Sequence, residues 1–197
     1  MSEQAAPPKL ELSHTLLTED DALRVLDGRR IRRGNRVMDP KAQIVGEFVK
    51  SIRVPGYFPP LPELRQQLRT MVTLMDEPAP PLPRVEDIRI PGPAGELPAR
   101  IYAPQATGVP RPTVAYFHGG GWVQGDLETH HGLCARLAKH ANVLVVAIDY
   151  RLAPEHKFPA AVEDSYAAAR WVLAHSEELS IDPKRIAVGG DSAGAIA

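Results

Sequence analysis

Ser192 stands near the end of the chain in the run "RIAVGGDSAG". Its five-residue neighbourhood, Gly190-Asp191-Ser192-Ala193-Gly194, is a G-x-S-x-G pattern set between a predicted strand and the first turn of a predicted helix. That context suits a nucleophile. The serine has to occupy a sharp strand-to-helix turn so that Oγ projects above a sheet, and the flanking glycines leave room for neighbouring backbones to pass. The N–H of Ala193, at the new helix N-terminus, would then point at an oxyanion formed on an attacked carbonyl. An ordinary glycine-rich turn can carry the same letters, so the pattern needs a partner.

A candidate partner lies upstream in "FHGGGW", residues 117–122. Three glycines directly after an apolar strand let the loop fold back and present N–H groups inward, as an oxyanion loop requires. Gly119 and Gly120 are the expected donors. Taken alone, the loop also reads as a phosphate-holding nest. Neither a Walker lysine nor G-x-G-x-x-G follows, which argues against a nucleotide.

A serine nucleophile needs a base for its proton and an acid to orient that base. After a nucleophile on a strand-to-helix elbow these follow in the order serine, acid, histidine. Only Ala193, Gly194, Ala195, Ile196 and Ala197 follow Ser192, so neither partner has a position here. Earlier histidines are poor substitutes. His130, His131, His140, His156 and His175 lie on predicted helices or at their approaches, His14 lies in the N-terminal tail, and His118 reads as loop support. Asp191 reads as a loop-ordering carboxylate, because adjacent positions at a sharp turn point differently. Asp149 and Arg151 end an apolar strand, where they are expected to pair with each other or with nearby loops. Thr129-His130-His131 offers adjacent ligands but no third at metal-binding spacing, so no metal and no cofactor are expected.

These residues need a scaffold. "RPTVAYF", "VLVVAIDY" and "RIAVGG" read as strands separated by two helical stretches, the pattern of an α/β fold with a mostly parallel sheet flanked by helices. The helix within "ETHHGLCARLAKHAN" is expected to bury Leu133, Leu137 and Ala141. That within "FPAAVEDSYAAARWVLAHS" is expected to bury Val162, Tyr166, Ala169 and Leu173. "VEDIRIPGPAGELPARIYA" reads as a hairpin turning at "PGPAGE". Upstream, Thr18 can cap a helix with Asp21, Pro40 opens a second helix and Pro62 a third. Between the first two, the basic cluster Arg29, Arg30, Arg32, Arg33 and Arg36 reads as solvated surface or a mobile loop. Residues 1–15 read as a loose tail.

Composition removes several alternatives. The net charge of -1 with histidine neutral gives no nucleic-acid footprint. The single cysteine, Cys134, excludes an internal disulfide framework and reads as buried filler. No apolar run reaches the length of a membrane span, and the N-terminus lacks an apolar leader, so a cytoplasmic protein is expected.

The stretches "YFHGGGWVQGDLETHHGLCARLA", "VVAIDYRLAPEHKFPAAVEDSYAAARWV" and "IDPKRIAVGGDSAG" together resemble the hormone-sensitive-lipase-like branch of the α/β-hydrolases, the GDSAG esterases. By motif the resemblance covers residues 85–197. It implies an α/β-hydrolase fold with an N-terminal helical cap at 16–80, and at 81–197 the N-terminal part of the hydrolase domain, cut short after the nucleophile elbow. It implies a serine carboxylesterase acting on small or short-chain esters through an acyl-enzyme, its acid and histidine lying beyond residue 197. Ser192 matches the nucleophile, and Gly119, Gly120 and Ala193 match the oxyanion donors. His118, Gly121, Asp149, Arg151, Glu155 and Asp191 match positions that support the loops. Trp122 and Tyr150 are candidates for pocket lining, as are Phe48, Tyr57 and Phe58 from the cap. The expected partner is a small-molecule ester, with a homodimer left open. The alternative is an inactive ligand-binding homologue on the same scaffold, or an inert fragment.

Overall fold

In the computed structural model, residues 18–53, 55–105 and 110–196 are described. The expected loose tail, 1–15, lies outside them. The chain divides into two compact units, Met1–Pro59 and Pro60–Ala197.

In the first unit, helix α1 (Glu19–Val25) starts as its sequence asks: Thr18 Oγ1 accepts the N–H of Asp21 at 3.3 Å and donates to the Asp21 carboxylate at 2.6 Å. Helix α2 (Pro40–Ile52) has Asp39 as its cap, accepting the Ala42 N–H at 3.0 Å, with Pro40 in the first turn, where no N–H is needed. Ala22, Leu26 and Ile44 form a small buried core. The basic cluster is solvated, as expected, but it is no loop. Arg32–Arg33 (β1) and Arg36–Val37 (β2) pair as a short antiparallel hairpin turning at Gly34, whose φ is +62°. Gln43 anchors its approach from beneath. Gln43 is 2% exposed, accepts the Ile31 N–H at 2.9 Å and donates to the Arg29 carbonyl at 3.3 Å. A buried amide with its bonds satisfied holds backbone that composition alone leaves free. Tyr57 and Phe58 are exposed.

The second unit opens with α3 (Leu61–Met75), then β3 (Arg84–Gly92), β4 (Gly95–Ala103), β5 (Arg111–Phe117), α4 (His131–Ala141), β6 (Leu144–Ile148), α5 (Ala160–Ala174) and β7 (Ile181–Gly190). The strands form one sheet in the order β3-β4-β6-β5-β7. β3/β4 and β4/β6 are antiparallel, whereas β6/β5 and β5/β7 are parallel. The sheet is therefore mixed, with a parallel core joined by helical crossovers. β6 is buried along its whole length and divides its side chains by the two-residue period. Val146 and Ile148 join the core under α5, while Val145 and Ala147 join Cys134, Ala135 and Ala138 of α4.

Each crossover helix buries only part of the stripe expected of it: Leu137 of α4 and Ala169 of α5 pack against the cores, whereas the other expected residues do not. In α4 the buried residues are Gly132, Cys134, Ala135 and Ala138; Leu133 is 39% exposed and Ala141 is exposed. In α5 they include Ala161, Asp164, Ser165, Ala168 and Val172, whereas Val162, Tyr166 and Leu173 are 41%, 64% and 52% exposed. Small residues let a helix axis approach the sheet closely, so the alanine stripe wins the contact. Cys134 is buried filler, and burial pushes its thiol pKa up to about 12.

The parallel register fixes where the loops meet. Phe117 is paired with Ile148 on one side and Gly190 on the other. The loops that follow β5, β6 and β7 therefore leave the same sheet edge, at the carboxyl ends of the strands, where open α/β sheets bind ligands.

Candidate active site

Ser192 follows β7 at the start of a 3-10 turn, Ser192–Ala195, with φ at +49°. A non-glycine residue held there costs on the order of 1–3 kcal/mol and persists only where its surroundings over-determine it. Those surroundings are backbone. A Cβ at Gly190 would lie 2.5 Å from the carbonyl oxygens of both Gly194 and Phe117, and one at Gly194 would overlap the Phe117 carbonyl. The two glycines of G-x-S-x-G are thus required by close approach of the elbow to the end of β5, and the serine between them is exposed. Gly194→Ala is expected to destabilise by about 3 kcal/mol, near the top of the overpacking range, because a carbonyl in a strand cannot yield as a side-chain tip can. A denaturant midpoint within error of wild type would contradict this.

The glycine loop meets the elbow through Asp191. Its Oδ1 accepts the Gly119 N–H at 2.9 Å and the Tyr116 hydroxyl at 2.8 Å, and His130 Nε2 lies 3.2 Å away. The expectation for Gly119 is corrected here: its N–H is committed to Asp191 rather than open to an oxyanion. Gly120 and Ala193 have N–H groups with no protein acceptor among the described residues. Gly120, at φ +130°, accepts from Val123 and Gln124 at 3.2 and 3.1 Å, which folds the loop back on itself.

His118 is buried. A carbonyl can only accept, so its Nδ1–H donates to the Gly119 carbonyl at 2.8 Å. Its ring stacks on Tyr150 at 4.4 Å between centroids, and its Nε2 lies 3.7 Å from Asp149. Tyr150 is therefore not pocket lining. It is 2% exposed and its hydroxyl donates to the His118 carbonyl at 2.6 Å. Burial pushes that hydroxyl pKa up to about 12, which keeps it a donor at neutral pH.

Asp149 and Arg151 do not pair with each other. Arg151 gives its backbone N–H, Nε and Nη2 to Asp164 of α5 at 3.0, 2.8 and 2.7 Å. Glu155 reaches instead to α3, where Arg65 binds it through both terminal guanidinium nitrogens at 2.8 Å. Arg65 also donates to the carbonyls of Val123 (2.7 Å) and Ala153 (3.2 Å), and Ala153 N–H reaches the Trp122 carbonyl at 2.8 Å. The Arg65 bonds pull Glu155 down to about 2. One arginine thereby joins α3, the glycine loop and the loop after β6, a bidentate use that lysine could not copy. Sequence reasoning missed Arg65, Tyr116, His130 and Asp164 as site-forming residues. Asp164 carried a signal, as an acidic residue in an alanine-rich helix; Arg65 lies 90 positions from its partner and carried none.

Two cavities flank the loop. One, of about 440 Å³, lies between α3 and the site and is lined by Leu68, Met71, Met75, Gly120, His130 and Asp191. The other, of about 450 Å³, lies beside Gly121 and is lined by Trp122, Phe158, Val162 and Ile196 among others. Trp122 is thus placed on a cavity wall. Among the described residues, no cluster of three or more His, Cys, Asp or Glu could hold a metal, and no helix is long and apolar enough to cross a membrane.

The charges around Asp191 set a pH dependence. Burial opposes its ionisation, but the bonds from Tyr116 and Gly119 and the nearby His130 outweigh it, and the carboxyl lies below its usual range. Burial holds His130 below the usual imidazole range, against the pull of Asp191. A depressed folded-state pKa means that the unfolded chain binds the proton first. The His130 contribution is therefore present above about pH 6.5 and lost as pH falls through its folded value; that of Asp191 is present above about pH 3.9 and lost below. Unfolding free energy measured from pH 8 down to 5 is expected to fall, and the His130→Phe (H130F) chain should lose part of that slope.

The elbow, the glycine loop and the parallel core define an α/β-hydrolase fold, and residues 114–196 match the family described as alpha/beta hydrolase fold. Among curated relatives, Esterase LipI of Mycobacterium tuberculosis is 51% identical over 133 residues, which are 66% of this chain and 41% of LipI. Carboxylic ester hydrolase LipN of the same organism is 56% identical over 111 residues, 56% of this chain and 29% of LipN. A hyperthermophilic esterase from Pyrobaculum calidifontis superposes with a TM-score of 0.65 at 48% identity, over 68% of this chain and 44% of that one. The chain thus spans less than half the length of each.

Proposed function

We propose that the protein is a serine carboxylesterase of small or short-chain esters. The observation that carries the reading is the elbow itself: an exposed Ser192 at positive φ, wedged against the end of β5 beside the glycine loop. Ser192 Oγ attacks the ester carbonyl as its proton passes to a general base. Among the described residues no histidine hydrogen-bonds Ser192, so that base and its acid come from outside them. The oxyanion is received by the N–H groups of Gly120 and Ala193, each worth about 3–4 kcal/mol in the transition state. Gly119 serves as the anchor through Asp191. The tetrahedral adduct collapses, the C–O bond to the alcohol breaks, and the base returns its proton to that oxygen. Water then attacks the acyl-enzyme in the same way, releasing the acid and restoring Ser192.

Relatives named esterase and carboxylic ester hydrolase support the reaction class. The apolar wall of Leu68, Met71 and Met75 supports an ester with a hydrocarbon group. The reading includes a cytoplasmic location, which cell fractionation tests. The decisive measurement is hydrolysis of p-nitrophenyl acetate and butanoate by the full chain carrying this sequence. No turnover with serine at 192 ends the reading.

A further inference from the structure

We propose that His130 is a positioning residue of this site, holding the Asp191 carboxylate so that the glycine loop stays aimed at the elbow. The kinetic part rests on the esterase reading above; the structural part does not.

The geometry converges on one atom. Asp191 Oδ1 faces three donors from three elements: the Tyr116 hydroxyl on β5, the Gly119 N–H in the loop, and His130 Nε2 at the entry to α4. A carboxylate only accepts, so Nε2 carries the proton. The opposite ring nitrogen, Nδ1, faces Thr129 Oγ1 at 3.0 Å, and that oxygen already accepts the Asp126 N–H at 2.9 Å. The one Thr129 hydroxyl proton faces both Nδ1 and the Asp126 carbonyl, 2.9 Å away, and in either arrangement Nε2–H is the donor to Asp191. Asp126 in turn is bound by Arg69 of α3 at 2.6 Å. A continuous set of polar contacts thus runs from α3 to the residue before Ser192. His130 is its one link that both touches Asp191 and lines the 440 Å³ cavity. The titratable groups around it are Asp191 on the elbow, Tyr116 on β5, His118 at 5.5 Å between rings, and Asp126 before α4.

The consequence lies in the transition state. Asp191 is only partly buried, its side chain 44% exposed. Without the His130 donor it can turn toward water and release Gly119. Gly120 is the next residue, so its N–H moves with that anchor. Substrate binding does not need an oxyanion donor, whereas the tetrahedral intermediate does, so the loss falls on kcat and leaves KM.

The test compares His130→Phe, which keeps the ring but has no N–H, with His130→Gln, whose amide can still donate to Asp191. With p-nitrophenyl butanoate the phenylalanine form should lose on the order of 10–100-fold in kcat at nearly constant KM. The glutamine form should recover most of it. A purely structural role would lower thermal stability in both and would not divide kcat from KM. The second arm is the Gly119 amide resonance in the wild-type protein followed through a pH titration, which needs no turnover. It should step with the titration of His130 and lose that step in either variant that folds. Unchanged kcat in His130→Phe, a loss carried by KM, or glutamine no better than phenylalanine overturns the inference while the esterase reading stands. A wild-type protein without ester turnover ends that reading and leaves the Gly119 resonance to decide; a flat Gly119 titration overturns the coupling.

Discussion

Replacing Ser192 with alanine is expected to remove ester turnover by roughly a millionfold in kcat, the scale seen when a serine hydrolase loses its nucleophile, while the protein keeps its fold. The two halves of this result have separate causes. The rate is lost because alanine has no hydroxyl to attack the ester carbonyl. The fold is kept because Ser192 is exposed and makes no hydrogen bond among the described residues. Alanine also bears the same φ of +49° at the same cost as serine, so stability should stay within about 0.5 kcal/mol. Glycine at 192 separates the terms further. It should be as inactive as alanine yet more stable by about 1 kcal/mol, since it occupies the left-handed region without penalty. Unfolding midpoints and p-nitrophenyl ester kinetics on the three proteins check both. Retained turnover in the alanine form would mean that the strained serine is not the attacking group.

The elbow was legible because its determinants are local. Glycines two positions either side of a serine, a strand before and a turn after, encode a close backbone approach that the contacts of Gly190 and Gly194 bear out. The hairpin, the Thr18 cap and the place of Pro40 in the first turn of α2 are local in the same sense. The helix faces were only partly legible: Leu137 and Ala169 pack on the cores as expected, the rest of each stripe does not. In α5 the bulky apolar residues repeat with helical spacing, yet the alanines pack on the sheet. Periodicity finds a helix, but the side that meets the sheet depends on how near the axis must come. Asp191 shows a different limit. Its ordering role follows from its place beside the serine, but which N–H it takes depends on a loop that starts 72 positions earlier. Arg151 was placed correctly at a strand end with its partner left open between Asp149 and nearby loops; the partner is Asp164 of α5, 13 positions on and beside it in space.

That pair carries the second large effect. Asp164→Ala is expected to cost about 3 kcal/mol, the lower end for breaking a buried ion pair by removing one partner. Asp164 is fully buried and receives three N–H donors from one residue, whereas the Arg151 side chain retains 21% exposure and can recover some hydration, which keeps the cost from rising further. The loss should appear as a lower denaturant midpoint at unchanged slope. It should also appear in the rate. Asp164 holds Arg151 at the start of the loop that carries Ala153 and Glu155. Ala153 N–H supports Trp122, and Glu155 is clamped by the same arginine that holds Val123. Loosening this loop loosens the glycine loop from behind, so kcat should fall with stability. Asp164→Asn retains an acceptor for the backbone N–H of Arg151 and should lose less in both. The order wild type, asparagine, alanine in midpoint and in kcat is the expected result. A stable alanine variant would mean that α5 is held to the sheet by its alanine stripe alone, with the ion pair contributing nothing.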